Sequence, residues 1–222
     1  AAEALLRIHD KNGNFISPAE AIPILEESGL IIPVGKWIIQ NAFSMCTECR
    51  KYYPEFRVSI NLSYVQILKS PLMMELKQMI ECSGISCSGI IVELTESGYL
   101  EGTPAVRSVW NDMKQLRIQI ALDDFGTGYS NLMNISNLEP DIVKLDRGFT
   151  LKALSRSYEY QLMQYVIEMV HKLNQYVCVE GVETKEDLEK IKALGPDLIQ
   201  GYYYSKPCSR DEFLKKFFGH SE

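Results

Sequence analysis

Short apolar segments of this chain each run into one polar residue, and the intervals between them leave room for a helix. In order, the polar residues are Glu3, Asn61, Glu93, Asp123 with Asp124, Lys144, Glu180 and Gln200. Val58-Ser59-Ile60 precedes Asn61, and Ile90-Ile91-Val92 precedes Glu93. Strands that alternate with helices build a parallel sheet. When such a sheet closes into a barrel, the C-terminal strand ends converge on one face, and chemistry sits there. A ring of carboxylates repels itself, so the pattern asks for divalent cations.

At 222 residues the chain has the length of one α/β barrel or one doubly wound domain. A net charge of −6 disfavours a nucleic-acid polymer as partner, although bound metal reverses the sign locally. The longest apolar stretch, Ile31 to Ile39, is interrupted by Pro33, Gly35 and Lys36, so it is no candidate membrane span. With no leader segment evident, the domain is expected to be cytoplasmic, within a parent protein that is either soluble or membrane-anchored. The six cysteines are scattered, and reduced thiols are expected. Cys46 and Cys49 have redox or zinc spacing, but they lie inside a predicted helix without a second pair, which favours packing.

No linker or repeat interrupts the chain, so a single domain over 1–222 is expected. The first strand is placed at about Ala1 to Ile8, and Asp10-Lys11-Asn12-Gly13 reads as a turn. Ser17 before Pro18 starts a helix that ends near Gly29, and a second helix runs from about Val34 to Tyr52. Strands follow at Arg57 to Asn61, Ile90 to Leu94, Gln119 to Asp123, Asp141 to Leu145, Tyr176 to Glu180 and Leu198 to Tyr204. Helices are expected at Tyr64 to Ser83, Pro104 to Leu116 and Tyr158 to Leu173, then after the cap Thr184 and from about Ser209. That makes seven strands, where a closed barrel has eight. The expectation is a missing strand before Ala1; the alternative is an open or partly swapped barrel.

Asp123-Asp124 is the sharpest local signal. It follows an apolar run and opens the loop Phe125-Gly126-Thr127-Gly128. Two adjacent carboxylates suit a two-metal site, which clamps the attacking and leaving oxygens of a phosphoryl displacement; the alternative is a solvated pair at a strand end. Glu3, Asn61, Glu93 and Glu180 add oxygen ligands of the kind that magnesium or manganese takes. Glu96 and Glu183, each three residues past a strand-end glutamate, read as braces for loops or ligands. Lys144, flanked by Val143 and Leu145, points either into the barrel mouth, where it stabilises an attacking hydroxide, or outward from an alternating strand. His9, His171 and His220 fit no ligand spacing.

These residues also carry a resemblance. Glu3-Ala4-Leu5-Leu6-Arg7 is similar to the signature of the EAL domain, the bacterial phosphodiesterase of cyclic di-GMP. Six further blocks match in order: Ile60 to Ser63, Glu93 to Ser97, Asp123 to Ser130, Val143 to Asp146, Glu180 to Thr184 and Gln200 to Pro207. The resemblance implies a modified TIM barrel with one antiparallel strand. It implies Glu3, Asn61, Glu93, Asp123, Asp124 and Glu180 as ligands of two Mg2+ or Mn2+ ions. It implies Lys144 and Gln200 at the nucleophilic water, and Leu5, Arg7 and Asp146 against substrate. Glu96 anchors the loop from Asp124 to Asn131, which in the family links the active site to a homodimer interface. Asn131, Val179, Ile8 and Ala21 depart from the usual pattern, and none removes a ligand. The implied activity is hydrolysis of cyclic di-GMP to linear pGpG, within a larger protein that carries sensory or GGDEF domains upstream. The alternative is an effector domain that binds cyclic di-GMP without cleaving it.

Overall fold

The computed structural model of the protein describes residues 1–95, 103–126, 135 and 138–219. In chain order the elements are β1 (Ala2–Ala4), β2 (Ile8–His9), β3 (Phe15–Ile16), α1 (Pro18–Glu27), α2 (Ile31–Cys49), β4 (Val58–Asn61), α3 (Tyr64–Lys69) and α4 (Leu72–Ser83). After a 3-10 turn at Cys87–Gly89 come β5 (Ile90–Thr95), α5 (Pro104–Gln115), β6 (Gln119–Phe125), β7 (Ile142–Leu145), α6 (Arg147–Ser155) and α7 (Ser157–Lys172). The chain closes with β8 (Tyr176–Val179), α8 (Lys185–Lys192), β9 (Leu198–Ile199) and α9 (Arg210–Phe218). Two compact units emerge. One comprises Ala1–Glu93, Glu101–Gln119 and Ser209–Glu222; the other comprises Leu94–Leu100 and Ile120–Cys208.

In the first unit, β1, β4 and β5 are parallel, with Glu3 level with Ser59, Ser59 level with Ile91, and Asn61 level with Glu93. Side chains alternate across a strand, so Glu3, Ser59, Asn61 and Glu93 share one face of these strands. Ile60 and Val92 point the other way, where Ile39 of α2, Leu72 and Leu76 of α4 and Met113 of α5 close over them. Phe43, Leu76 and Met113 are fully buried or nearly so, and each such side chain contributes about 1.5–3 kcal/mol. Helix α2 supplies this layer because Ile31, Gly35, Ile39, Ala42, Phe43, Cys46 and Cys49 fall on one helical stripe. On the same unit, α9 brings Phe213 against Phe56, with ring centroids 6.0 Å apart.

The second unit holds β6, β7, β8 and β9, also parallel. Helix α7 buries Met163, Ile167 and Val170 at helical spacing and packs on α6 and β8. Thr184 and Asp187 form a reciprocal capping box at the start of α8, as their spacing predicts.

Several boundaries differ from the sequence reading. The strand placed over residues 1–8 stops at Ala4; Ile8–His9 instead pairs antiparallel with Phe15–Ile16 across the expected turn. Asp10 drives that turn: its carboxylate accepts from the backbone of Asn12 at 2.7 Å and of Asn14 at 2.9 Å. The Asn14 side chain and backbone bonds hold the Asp10 carboxyl below its usual range. The helix expected over 64–83 breaks at Ser70-Pro71, since proline disfavours helical backbone before it. Helix α6 was not expected at all. Its cap is Asp146, whose carboxylate accepts from Gly148 N at 2.7 Å, and the early glycine masks the helical pattern. Strand β9 ends at Ile199 rather than Tyr204.

The paired cysteines of α2 are core residues. Cys46 and Cys49 are fully buried, and Cys46 Sγ donates to Gly89 O at 3.5 Å. Burial pushes the Cys49 thiol up to about 11 and raises that of Cys46. Only a thiolate reacts at an appreciable rate. Mass spectrometry after brief alkylation at pH 8 is therefore expected to find Cys82 and Cys208 modified, since both are exposed. Cys46, Cys49 and Cys178 should react only after denaturant is added; early modification of Cys46 or Cys49 would contradict this packing.

Candidate active site

The polar strand ends fall into two described groupings, one per unit. In the first, Asn61 Nδ2 donates to Glu3 Oε1 at 2.7 Å. That contact commits the amide nitrogen and leaves the Asn61 carbonyl oxygen to accept or ligate. Glu93, 2% exposed, accepts a hydrogen bond from the Ser59 hydroxyl, which is also buried. Both contacts follow from register: Ser59 and Glu93 are offset by two residues on neighbouring strands, as are Glu3 and Asn61. Sequence reasoning missed Ser59. Its only signal was a small polar residue inside an apolar strand, two residues before Asn61.

In the second unit, Lys144 lies buried on β7, its side chain 4% exposed. Its Nζ meets Glu180 Oε1 at 2.7 Å and Asp123 Oδ1 at 3.1 Å, so the inward orientation holds and the outward alternative does not. These carboxylates are 19% and 14% exposed. A lysine shielded from water needs such partners, and removing one partner from a buried pair costs about 3–5 kcal/mol. Lys144 is level with Cys178, and Cys178 with Leu198. Glu180 and Gln200 stand two residues beyond those positions and so share their face. The ladder continues through both: Glu180 N donates to Leu145 O at 3.1 Å, and Gln200 N to Val179 O at 2.8 Å.

Asp123-Asp124 sits on a register shift. Leu122 is level with Val143, and Phe125 with Leu145, so β6 spends one residue more than β7 between those rungs. Asp124 takes up the excess with φ of +60°, a left-handed backbone that aspartate tolerates better than most residues. In an unbroken strand, adjacent side chains point to opposite faces. The bulge removes that constraint at the two residues where paired carboxylates were expected.

The remaining expected residues divide as follows. Leu5 and Arg7 follow β1 and are exposed; Arg7 lies over the Phe15 ring at 5.9 Å and donates to Leu6 O. Asp146 caps α6 through its side chain. Glu183 accepts from Arg147 Nη2 at 2.8 Å and Nε at 3.2 Å, a brace on the segment after Glu180. His9 and His171 are exposed, and His171 Nε2 lies 2.9 Å from Asp197 Oδ2. Glu96, Thr127, Gly128, Asn131 and His220 lie outside the described residues.

Among the described residues, no three acidic, histidine or cysteine side chains converge closely enough to hold an ion by themselves. In each grouping the acidic donors come with a partner of another kind: Asn61 beside Glu3, Ser59 beside Glu93, Lys144 between Asp123 and Glu180. The donor chemistry nonetheless fits hard divalent cations, since every candidate ligand atom is a carboxylate or amide oxygen. In the second grouping two carboxylates flank one ammonium.

The profile of the EAL domain family matches residues 1–207. The cyclic di-GMP phosphodiesterase PdeF of Escherichia coli (strain K12) is 32% identical over 205 residues, covering 92% of this chain and 27% of PdeF. The EAL enzyme Bd1971 in its cAMP and cyclic-di-GMP bound form superposes with a TM-score of 0.90 at 31% identity, covering 96% of this chain and 59% of that one. The PaMucR phosphodiesterase in complex with c-di-GMP gives a TM-score of 0.87 at 27% identity, over 96% of this chain and 86% of its own. PdeF is thus matched over about a quarter of its length. The fold class is the expected α/β one, the modified TIM type of the EAL structures. By profile, sequence and fold, the chain belongs to the EAL domain family.

Proposed function

We propose that this chain is a divalent-metal-dependent phosphodiesterase that hydrolyses one phosphodiester of cyclic di-GMP and releases linear pGpG. The observation that carries the reading is the buried Lys144, held between Asp123 and Glu180 at the ends of parallel strands. A lysine so placed supports a reaction in which negative charge develops beside it. The names of PdeF and PaMucR supply the substrate and the reaction class.

The proposed ligands are Glu3, Asn61, Glu93, Asp123, Asp124 and Glu180. They would hold two Mg2+ or Mn2+ ions, which would supply Lewis acidity for the attacking water and for the leaving oxygen. The chain's own residues do the rest. Ser59 fixes the Glu93 carboxylate by its hydrogen bond, and Asn61 fixes Glu3. Lys144 stabilises the attacking oxygen as it loses its proton, and Gln200 orients the same water. That oxygen forms a bond to phosphorus as the bond to the 3′ oxygen breaks; the proton given up by the water passes to solvent, and solvent protonates the departing 3′ oxygen. Leu5, Arg7 and Asp146 are assigned to the substrate. Residues 1–222 are read as one cytoplasmic EAL-type domain of a larger protein, soluble or membrane-anchored, with sensory or GGDEF domains upstream. It is read as a homodimer coupled to the site through Glu96 and the loop from Asp124 to Asn131.

The direct test is incubation with cyclic di-GMP and magnesium or manganese, with the nucleotides separated by chromatography. Stoichiometric pGpG that vanishes with chelator is expected; retention of intact cyclic di-GMP on the protein without turnover would replace hydrolase by effector.

Three substitutions probe the assignments. Asp123→Asn is expected to abolish hydrolysis even at saturating metal, and near wild-type turnover there would remove Asp123 from the ligand set. Lys144→Ala should lower kcat by about 10²-fold or more with little change in KM, because its role lies on the way to the transition state. A raised KM at constant kcat would make Lys144 a substrate-binding residue. Ser59→Ala should raise the metal concentration for half-maximal activity about 10- to 100-fold, as loss of a group that orients a ligand does. An unchanged metal requirement would leave the Ser59–Glu93 bond without a role in metal binding.

A further inference from the structure

Asn61, one of the proposed metal ligands, is exposed at the end of β4. Core packing does not hold its side chain, so its position depends on the backbone to either side. On one side the ladder sets Asn61 level with Glu93. On the other side three hydrogen bonds hold the turn Leu62-Ser63. Leu62 N donates to Glu93 O at 3.0 Å. Ser63 N donates to Gln66 Oε1 at 3.1 Å. The Ser63 hydroxyl donates to Glu26 Oε1 at 2.6 Å.

The last two bonds differ in kind. Gln66 belongs to α3 itself and completes the reciprocal capping box of that helix. It is 4% exposed and wedged against α2, where a Cβ on Gly35 would collide with its amide. Glu26 instead reaches in from the last turn of α1, 37 residues earlier in the chain. A hydroxyl that donates to a carboxylate makes a charge-assisted bond, roughly twice as strong as a neutral one. Ser63 Oγ is also the cap of α3, accepting from Val65 N at 3.1 Å. With its proton committed to Glu26, the hydroxyl keeps its lone pairs for that cap.

Capping alone needs no carboxylate from a distant helix. The bond to Glu26 has a second consequence. Helix α1 lies downstream of the strand that carries Glu3, and α3 follows the strand that carries Asn61. These two segments are joined twice, by Asn61 to Glu3 at the strand ends and by Ser63 to Glu26 beyond them. We infer, resting on the metal-dependent reading above, that Glu26 is a positioning residue for Asn61: through the Ser63 hydroxyl it sets where the Asn61 carbonyl oxygen stands relative to Glu3. Glu26 touches neither substrate nor ion, so its effect belongs in metal affinity.

The test titrates Mn2+ into the protein, reads the free ion by electron paramagnetic resonance, and records the thermal midpoint of the metal-free chain. It compares wild type with Glu26→Ala, Glu26→Gln, Ser63→Ala and the double variant Glu26→Ala/Ser63→Ala. In Glu26→Ala the Kd of one manganese ion should rise about 10-fold, the lower end of what loss of a ligand-orienting group costs. Glu26→Gln keeps an oxygen that accepts from Ser63 and should recover most of that loss. The double variant should bind no more weakly than Ser63→Ala, because both changes break one interaction. A lower thermal midpoint in Glu26→Ala with unchanged manganese affinity would make the bond a fold contact only and overturn the assignment. Equal losses in Glu26→Gln and Glu26→Ala would overturn it too, since charge and not the hydrogen bond would then be the cause. Additive losses in the double variant would do the same by taking Glu26 off the route through Ser63. If wild type itself binds no manganese saturably, the metal-dependent reading falls and the assignment with it, a result distinct from wild-type binding that Glu26→Ala leaves intact.

Discussion

The described chemistry of the second unit turns on one buried charge. Lys144 is almost wholly removed from water and survives there because Glu180 and Asp123 flank it. Burying an ammonium is costly, and the two carboxylates beside it offset that cost. Everything around the trio serves that placement. Parallel register sets Asp123, Lys144 and Glu180 on one face, and the ladder bonds through Glu180 and Gln200 carry the strands to their polar ends. The bulge at Asp123-Asp124 then frees the second carboxylate from strict alternation.

In the first unit, neutral side chains meet the acidic groups. Its acidic groups are steadied by neutral donors, the Asn61 amide and the Ser59 hydroxyl. A neutral donor orients a carboxylate without neutralising it. Behind that face, Ile60 and Val92 are sealed by α2, α4 and α5, so the strands have little freedom to drift. The two cysteines of α2 belong to this seal, and their metal-like spacing is a by-product of helical packing.

How much of this was legible before the fold is best judged on particular residues. Ile90-Ile91-Val92 before Glu93 announced a buried strand, because both faces of a parallel strand are covered. Thr184 with Asp187 announced a helix start, because the capping box is local chemistry. Helix α6 stayed hidden, since its first turn holds Gly148 and its cap, Asp146, was read as a substrate contact. The left-handed backbone of Asp124 and the partnership of Ser59 with Glu93 were also hidden. Both depend on register between strands distant in sequence, and a single sequence carries periodicity but not register. The direction of Lys144 was left open for the same reason, and its burial settles it inward.

The central claim is that the carboxylates at these strand ends bind divalent ions. Titration with Mn2+, followed by the electron paramagnetic resonance signal of the free ion in the presence of cyclic di-GMP, tests it most directly. Two ions bound per chain is the result expected, with Asp123→Asn losing at least one of them. A chain that binds no manganese saturably, or whose binding is untouched by Asp123→Asn, would contradict the account.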